Sequence, residues 1–148
     1  MNFLKTTAYL FLLVMLLQSC TKSGPVAIEY GEDPCAFCKM TIVDTKFSCE
    51  LQTNKGKTYK FDDLFCLMKY KNENFSDSDN IAHIYISDFH SGEFIEHSNA
   101  SFLFNPEFKS PMSGNIATFD SDTALHKVLL EKGGELLNWE QVTNKTGI

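Results

Sequence analysis

Phe61-Asp62-Asp63 and Phe119-Asp120-Ser121-Asp122 are two versions of one short stretch, and they decide the fold. In each version an aromatic strand residue is followed by Asp or Ser, whose side-chain oxygens accept hydrogen bonds from the free N–H groups of a helix's first turn. The first version predicts a helix over residues 64–70, and the second predicts one over residues 123–131. Each stretch therefore marks the point where strand pairing ends and a helix begins.

The residues before each stretch predict a β-hairpin. In the first unit, residues 41–53 and 58–61 are rich in strand-forming residues and are separated by the polar turn at 54–57. In the second, residues 101–105 and 115–119 are extended and enclose a loop at 106–113. The strands expected at 81–86 and 94–97 join the two halves. The order of elements predicts an α+β domain of two ββα-type units with small antiparallel sheets.

Residues 33–40 carry the densest set of sulfur donors in the chain, in the pattern C-x-x-C-x-M formed by Cys35, Cys38 and Met40. Thiolates and thioethers are soft ligands that favour Cu(I) over harder cations. If the backbone is extended from Cys38 to Met40, both side chains fall on one face, because side chains alternate along a strand. The pattern therefore predicts a copper site.

The C-x-x-C part alone leaves three other interpretations open. Four cysteines beyond the N-terminus form an even set, which suits two disulfides in an oxidising compartment. A thiol–disulfide oxidoreductase using Cys35 and Cys38 is a second alternative, although such motifs open a helix and residues 41–43 are rich in strand formers. A structural zinc site is the third, but no second C-x-x-C or H-x-x-H pair is present.

Four further residues near this chemistry receive structural interpretations. Cys49 has the inward alternation of a strand residue, so we expect a buried, inert thiol. Cys66 lies one turn beyond the predicted cap and is a minor candidate ligand. Asp62 and Asp63 are interpreted as helix caps, because hard carboxylate oxygens suit Cu(I) poorly.

The histidines give no clear ligand. His83 lies in an apolar strand and is expected to be a core or edge residue with a satisfied ring, while His90 and His97 flank a turn and are expected to be solvated. Spacing singles out none of the four histidines as a partner for the cysteines.

The N-terminus is typical of an exported protein. Lys5 precedes an apolar run at residues 9–17, which is too short for a comfortable membrane span. Residues 17–20 match a bacterial lipobox, in which Cys20 becomes the lipidated first residue; an ordinary signal peptide with a coincidental cysteine is the alternative. We expect a signal peptide at 1–19, a lipidated, flexible tether at 20–32 and one domain at 33–148.

The charge balance limits the classes of molecule that the protein could bind. The formal net charge is −6, and all 13 basic residues are lysines. Nucleic-acid binding requires a basic face, so this composition argues against nucleic acid as a partner.

Four segments in this order resemble the NosL family: the lipobox, the C-x-x-C-x-M, the segment 61–66 and the segment 111–119. The resemblance covers nearly the whole mature chain. It implies a fold related to that of organomercurial lyase, built of ββα-type modules. It also implies a Cu(I)-carrying, membrane-anchored lipoprotein that faces the periplasm, is not an enzyme, and serves the assembly of nitrous oxide reductase.

The resemblance also implies a ligand set. The family's Cys and Met donors match Cys38 and Met40, and its second thioether matches Met112. Cys35 falls at a position that varies in the family, which makes it a secondary ligand or a resolving thiol.

The chain departs from the family pattern at two positions. Lys39 stands where family members often have Gly, and the Gly of the Pro-Met loop is displaced to Gly114. Both departures put local loop geometry in question more than ligand identity.

Overall fold

The structure is a computed structural model that describes residues 24–75 and 80–146 of the 148-residue chain. The predicted signal peptide and lipidation site at residues 1–20 lie outside the described residues. The described part forms seven strands and three α-helices in the following order: β1 (Cys49–Thr53), β2 (Thr58–Phe61), α1 (Leu64–Asn74), β3 (Ile81–Ser87), β4 (Phe94–Glu96), β5 (Ser101–Phe104), β6 (Ile116–Phe119), α2 (Asp122–Lys132), β7 (Glu135–Leu137) and α3 (Trp139–Lys145).

Two small antiparallel sheets carry the helices. The first has the strand order β2-β1-β3-β4 and the second has the order β6-β5-β7. The units β1-β2-α1 and β5-β6-α2 have the same order of elements, so the predicted α+β fold with two ββα-type units is confirmed. The strand β7 and the helix α3 were not predicted.

Both predicted helix starts are capped by the expected residues. The Asp63 side chain accepts a hydrogen bond from the Phe65 N–H, and the Ser121 side chain accepts one from the Ala124 N–H. These bonds satisfy N–H groups that have no partner within the helix. Each helix consequently begins directly after the last residues of a paired strand.

Each unit packs over its own apolar cluster. The larger cluster lies between the first sheet and α1 and includes Leu51, Phe61 and Leu67, all fully buried. The smaller one includes Leu103 and Phe119 and lies under α2. The larger cluster continues beneath the cysteine-containing loop, because Cys35 belongs to it.

Residues 41–48, the first part of the strand predicted at 41–53, form a loop and a turn instead. Thr41 makes one isolated bridge with Pro34, and regular pairing begins only at Cys49. The cause is the tight loop between residues 33 and 42. Its ends are bonded to each other, so residues 41–43 do not pair with a strand of the sheet.

The segment before this loop contacts the first sheet. The Val26 N–H donates to the carboxylate of the buried Glu50, Ile28 is buried, and the Tyr30 hydroxyl shares a hydrogen bond with Ser48 Oγ. The division between tether and domain at residue 32 stays a prediction. Among the described residues, none of the helices is both long enough and apolar enough to cross a bilayer.

Candidate metal centre

The loop that carries the C-x-x-C is held on the edge of the first sheet. The Ile42 N–H donates to the Asp33 carbonyl over 2.9 Å and closes the base of the loop. The Ala36 N–H donates to the Lys60 carbonyl of β2 over 2.8 Å, and the Lys60 ammonium lies 2.6 Å from the Asp33 carboxylate. These contacts therefore fix the position of the loop along β2.

Within the loop, the backbone turns between the second cysteine and the methionine. The Cys35 N–H donates to the Met40 carbonyl over 2.8 Å, and Lys39 has φ of +67°. Because this left-handed conformation interrupts any strand, the condition that Cys38 and Met40 lie on an extended segment is not met. A φ of this sign favours glycine, which accounts for the glycine that the resemblance leads us to expect at position 39.

Two more donors come from the point where β2 passes into α1. Asp62 follows the last residue of β2, and Cys66 lies in the first turn of α1. Asp62 is 2% exposed and Cys66 is fully buried. The cap at Asp63 fixes this first turn, so both donors have defined positions beneath the loop.

Cys35, Cys38, Cys66 and Asp62 meet at one place. Their three sulfur atoms and one carboxylate oxygen all lie within 4.8 Å of one another, and the Cys38 thiol donates to Asp62 Oδ2 over 3.3 Å. None of the four cysteines in the described residues forms a disulfide. Cys38 is the partly exposed member of the cluster, so it forms the route to solvent.

The three thiols of the cluster have different proton affinities. The pKa of Cys35 is lowered to about 6, chiefly because the Cys66 S–H donates to its sulfur, with further N–H groups of Asp62, Cys38 and Phe37 directed at it. Donation to Cys35 raises the pKa of Cys66. Burial raises the pKa of Cys38 to about 11. The metal-free cluster thus holds a thiolate at Cys35 and protons on its neighbours.

The Asp62 carboxylate is incompletely satisfied. Its Oδ1 atom is buried and has no hydrogen-bond partner within residues 24–75 and 80–146. Lys39, next to Cys38, donates to the Ala36 carbonyl, and Lys60, two residues before Asp62, is paired with Asp33. A buried carboxylate oxygen without a partner is costly, and a cation bound to that oxygen would offset the cost.

The loop carrying Met112 is tied to the start of α1. Asp63 Oδ2 accepts hydrogen bonds from the Ser110 hydroxyl and, over 3.1 Å, from the Met112 N–H. A Cβ atom at Gly114 would lie 2.6 Å from Asp63 Oδ1, so this close approach requires glycine. The displaced Gly114 is explained by this contact. Met112 itself is half-buried and packs, like Cys38, against the larger apolar cluster.

The sequence interpretation undervalued two members of the cluster. Asp62 was assigned a capping role that belongs to Asp63 alone, and Cys66 was rated a minor candidate. The two lie four residues apart on either side of the Asp63 cap, and the turn at the start of α1 brings their side chains together. That spacing was the available signal.

Cys49 is fully buried, as expected, and lies outside the cluster. Burial raises the pKa of its thiol well above the usual value.

None of the described histidines joins the cluster. His83 pairs with Glu96 across β3 and β4 at 2.9 Å. His90 is exposed as predicted, whereas His97 is half-buried against the Trp139 ring at 4.7 Å, and burial lowers its pKa. His97 therefore departs from the prediction of a solvated ring. It lines a cavity of about 570 Å³ to which no cysteine or methionine of the described residues contributes.

The fold and the site define a small two-sheet α+β protein with a thiol-rich candidate metal centre. The model of the NosL family matches residues 25–146, and the chain belongs to that family. The crystal structure of the copper chaperone NosL from Shewanella denitrificans has the same fold, with a TM-score of 0.67 and 19% sequence identity over 80% of this chain and 94% of that chain. A comparison with curated proteins gives no match.

Proposed function

We propose that this protein is a Cu(I)-binding metallochaperone and not an enzyme, and that it delivers copper for the assembly of nitrous oxide reductase. Membership of the NosL family and the fold shared with a copper chaperone support the general role. Copper is here a cargo, which the protein must hold firmly and still release to a partner.

The observation that carries the proposal is the position of Cys38. Its thiol lies among two other thiols, yet Cys38 is the only one of these three cysteines that is not fully buried among the described residues. Met40, two residues on, is 53% exposed. A fixed soft ligand beside an exposed thioether suits ligand exchange with an incoming partner, because an exposed donor can be replaced without unfolding the loop.

We assign the ligand roles accordingly. Cys38 is the central thiolate, Met40 and Met112 are exchangeable thioether donors, and Cys35 is a secondary ligand. The assignment of Met112 is supported by the hydrogen bonds between its loop and Asp63, which hold that loop against the start of α1.

We further propose that the chain acts outside the cytoplasm as a bacterial lipoprotein anchored through Cys20, facing the periplasm. The lipobox at residues 17–20 supports this placement. Acyl chains contribute about 0.8 kcal/mol of membrane affinity per buried methylene, so more than one chain would hold the protein at the membrane. Metabolic labelling with a radioactive fatty acid tests the anchor, since Cys20→Ala should abolish incorporation.

A competition titration tests the copper assignment. The reduced full-length chain, purified in detergent, is titrated with Cu(I) against a chromophoric Cu(I) chelator. We expect one bound Cu(I) per chain, a loss of affinity of at least about 100-fold for Cys38→Ser, and smaller losses for Met40→Leu and Met112→Leu. Cys49→Ala is the matched control, because Cys49 is also buried and lies outside the cluster. Equal affinities for Cys38→Ser and Cys49→Ala would refute the assignment.

A thiol–disulfide oxidoreductase is the second candidate, and one observation favours it. Cys35 has a pKa lowered to about 6 and lies beside Cys38, as a reactive pair requires. However, the C-x-x-C lies in a loop and does not open a helix. An insulin-reduction assay distinguishes the two functions, and we expect no turnover above that of the Cys35→Ser variant.

A further inference from the structure

We propose that residues 24–31, which we call the N-terminal strut, hold the domain against a lipid bilayer in one orientation. The turn between β1 and β2 faces the lipid, and the candidate metal centre faces away from it. The inference rests on the proposed lipid anchor at Cys20 and goes beyond it, because an anchor on a flexible tether sets no orientation.

The first step is the course of the strut along β1. Glu50 and Gln52 lie on the face of β1 opposite to the core residue Leu51, because side chains alternate along a strand. The Gln52 side-chain amide donates to the Gly24 carbonyl over 2.9 Å, and the Val26 N–H donates to both Glu50 carboxylate oxygens over 2.9 and 3.1 Å. The strut therefore begins at the end of β1 that carries Gln52.

The other end of the strut lies beside the start of β1. The Tyr30 hydroxyl is 2.8 Å from Ser48 Oγ, and the Gly31 N–H donates over 2.8 Å to the carbonyl of Ile42, at the base of the loop that carries the C-x-x-C. The strut thus runs antiparallel to β1, from the turn between β1 and β2 to the loop of the candidate metal centre.

The second step is the firmness of this attachment. Glu50 is a carboxylate with 0% exposure, and a buried charge of this kind is costly unless it is hydrogen-bonded. The strut supplies the Val26 N–H to that carboxylate and also buries Ile28, which is 7% exposed. The Lys60 ammonium donates to the Ala27 carbonyl over 2.7 Å. Contacts are therefore made along the whole strut, and undocking would leave the Glu50 carboxylate without its backbone donor.

The third step is the length of chain between the strut and the lipid. Cys20 precedes Gly24 by four residues. Since a chain spans at most about 3.6 Å per residue, Gly24 lies within about 14 Å of Cys20. Acyl chains on Cys20 insert into the hydrocarbon and place that residue at the level of the headgroups. A strut bonded to the sheet at Gly24 therefore keeps the adjacent end of the domain close to the membrane surface.

The fourth step is the direction of the metal centre. Gln52 pairs with Thr58 next to the exposed turn at 54–57, whereas Cys49 pairs with Phe61, directly before Asp62 of the cluster. The five residues of β1 separate these two ends by about 16 Å, at about 3.3 Å per residue. With the turn at the lipid, the candidate metal centre is presented to the aqueous phase, where a protein partner can reach it.

The experiment measures energy transfer from a single tryptophan to dansyl-labelled lipid headgroups. Trp139 is the only tryptophan of the chain, so Trp139→Phe is the background in which Lys55→Trp and Val43→Trp are made separately. Lys55 lies in the turn between β1 and β2, and Val43, which is 68% exposed, follows the residue that bonds Gly31. The full-length, lipidated variants are reconstituted into vesicles of phosphatidylethanolamine and phosphatidylglycerol that contain dansyl-labelled phosphatidylethanolamine. Circular dichroism checks that each variant is folded.

Energy transfer falls steeply with distance. Because β1 separates the two positions by about 16 Å, we expect the transfer efficiency from position 55 to be at least about twice that from position 43. The matched control inserts about 20 Gly and Ser residues between Ser23 and Gly24, which adds about 25 Å of average reach and leaves the strut and the anchor in place. In this control, transfer from position 55 should fall to the level of position 43. Persistent transfer from position 55 would mean that the introduced tryptophan itself binds lipid, and would overturn the inference.

Flotation with the vesicles separates this inference from the proposed anchor. Wild type should float and Cys20→Ala should not. If wild type floats and transfer is equal from positions 43 and 55, the anchor stands and the orientation is wrong. If wild type does not float, the anchor is wrong and the orientation fails with it.

Hydrogen–deuterium exchange of the full-length chain tests the strut without reference to lipid. The Val26 and Gly31 amides are both hydrogen-bonded, so we expect each to exchange at least about 100-fold more slowly than in an unstructured peptide. Exchange of these two amides at the unstructured rate would show that the strut is not docked and would overturn the inference, whatever the result of flotation.

Discussion

The two ββα units share a backbone plan and differ in what covers the start of their helices. Asp62 and Asp120 occupy equivalent places after the last strand residue, and Asp63 and Ser121 are the equivalent caps. In the first unit both carboxylates are buried, whereas Asp120 is exposed. The loop carrying Cys35 and the loop carrying Met112 cover only the first helix start. The candidate metal centre therefore lies where a covering loop meets the helix start of the first unit, and each of the two contributes two of the four donors.

Removal of the two caps should show this difference most strongly. Asp63→Ala removes a cap and leaves the Ser110 hydroxyl and the Met112 N–H without their acceptor, so we expect a loss of about 3 kcal/mol in the free energy of unfolding. Ser121→Ala removes a cap alone and should cost about 1 kcal/mol. Urea denaturation of both variants measures the difference. Equal losses would mean that the covering loop contributes nothing through Asp63.

The close approach of the Met112 loop gives the next largest effect. Gly114→Ala places a Cβ atom 2.6 Å from Asp63 Oδ1, so the loop must shift, and we expect a destabilisation of about 2 kcal/mol. Because the same loop carries Met112, Cu(I) affinity should fall with stability. Denaturant unfolding and Cu(I) competition on the same preparation check both results. Wild-type Cu(I) affinity in Gly114→Ala would contradict the assignment of Met112 as a copper ligand.

The pH dependence of Cu(I) affinity tests the ligand role of Cys35. Cys38, with a pKa of about 11, is protonated in neutral solution, so each Cu(I) bound displaces one proton. Affinity should fall about tenfold for each unit by which pH decreases between 9 and 6, or about 1.4 kcal/mol. Cys35, with a pKa of about 6, is a thiolate over this range and takes up a proton only below it.

If Cys35 is also a ligand, the slope of log affinity against pH steepens towards two below pH 6, because a second proton must then be displaced. Chelator competition at a series of pH values measures this slope. A slope that stays at one down to pH 5 would exclude Cys35 from the copper sphere.

The smallest effect is expected in the uncovered unit. Asp120→Asn removes an exposed charge, and we expect stability to change by less than about 0.5 kcal/mol, with no change in metal affinity. Thermal unfolding and Cu(I) competition, each run beside Cys38→Ser, provide the check. A loss of metal affinity in Asp120→Asn would contradict the division of roles between the two units.

The sequence predicted the repeated units well because their signals are local. Capping side chains and strand alternation lie within a few residues of the elements they specify, which is why Asp63 and Ser121 could be identified as caps of the two helices. Residues 41–43 were misassigned because their strand propensity yields to the tight connection of the loop that contains Pro34 and Thr41.

The candidate site could be predicted only in part. The C-x-x-C-x-M pattern drew attention to the loop that holds two of the four clustered donors. The approach of Cys66 and Asp62 depends on how that loop packs over α1, and nothing local encodes such packing. The relation of Cys38 to Met40 was inferred from an extended backbone, and the left-handed Lys39 could not be read from the residue type. Residue identity thus revealed the soft donors, and tertiary contact selected which of them meet.

X-ray absorption at the copper K-edge of the Cu(I)-loaded full-length chain tests the central claim most directly. With Cys38 as the central thiolate, the first shell should consist of sulfur donors, two or three in number, and Cys38→Ser should remove at least one of them. A shell dominated by nitrogen or oxygen, or a spectrum identical in wild type and Cys38→Ser, would contradict the proposed copper site.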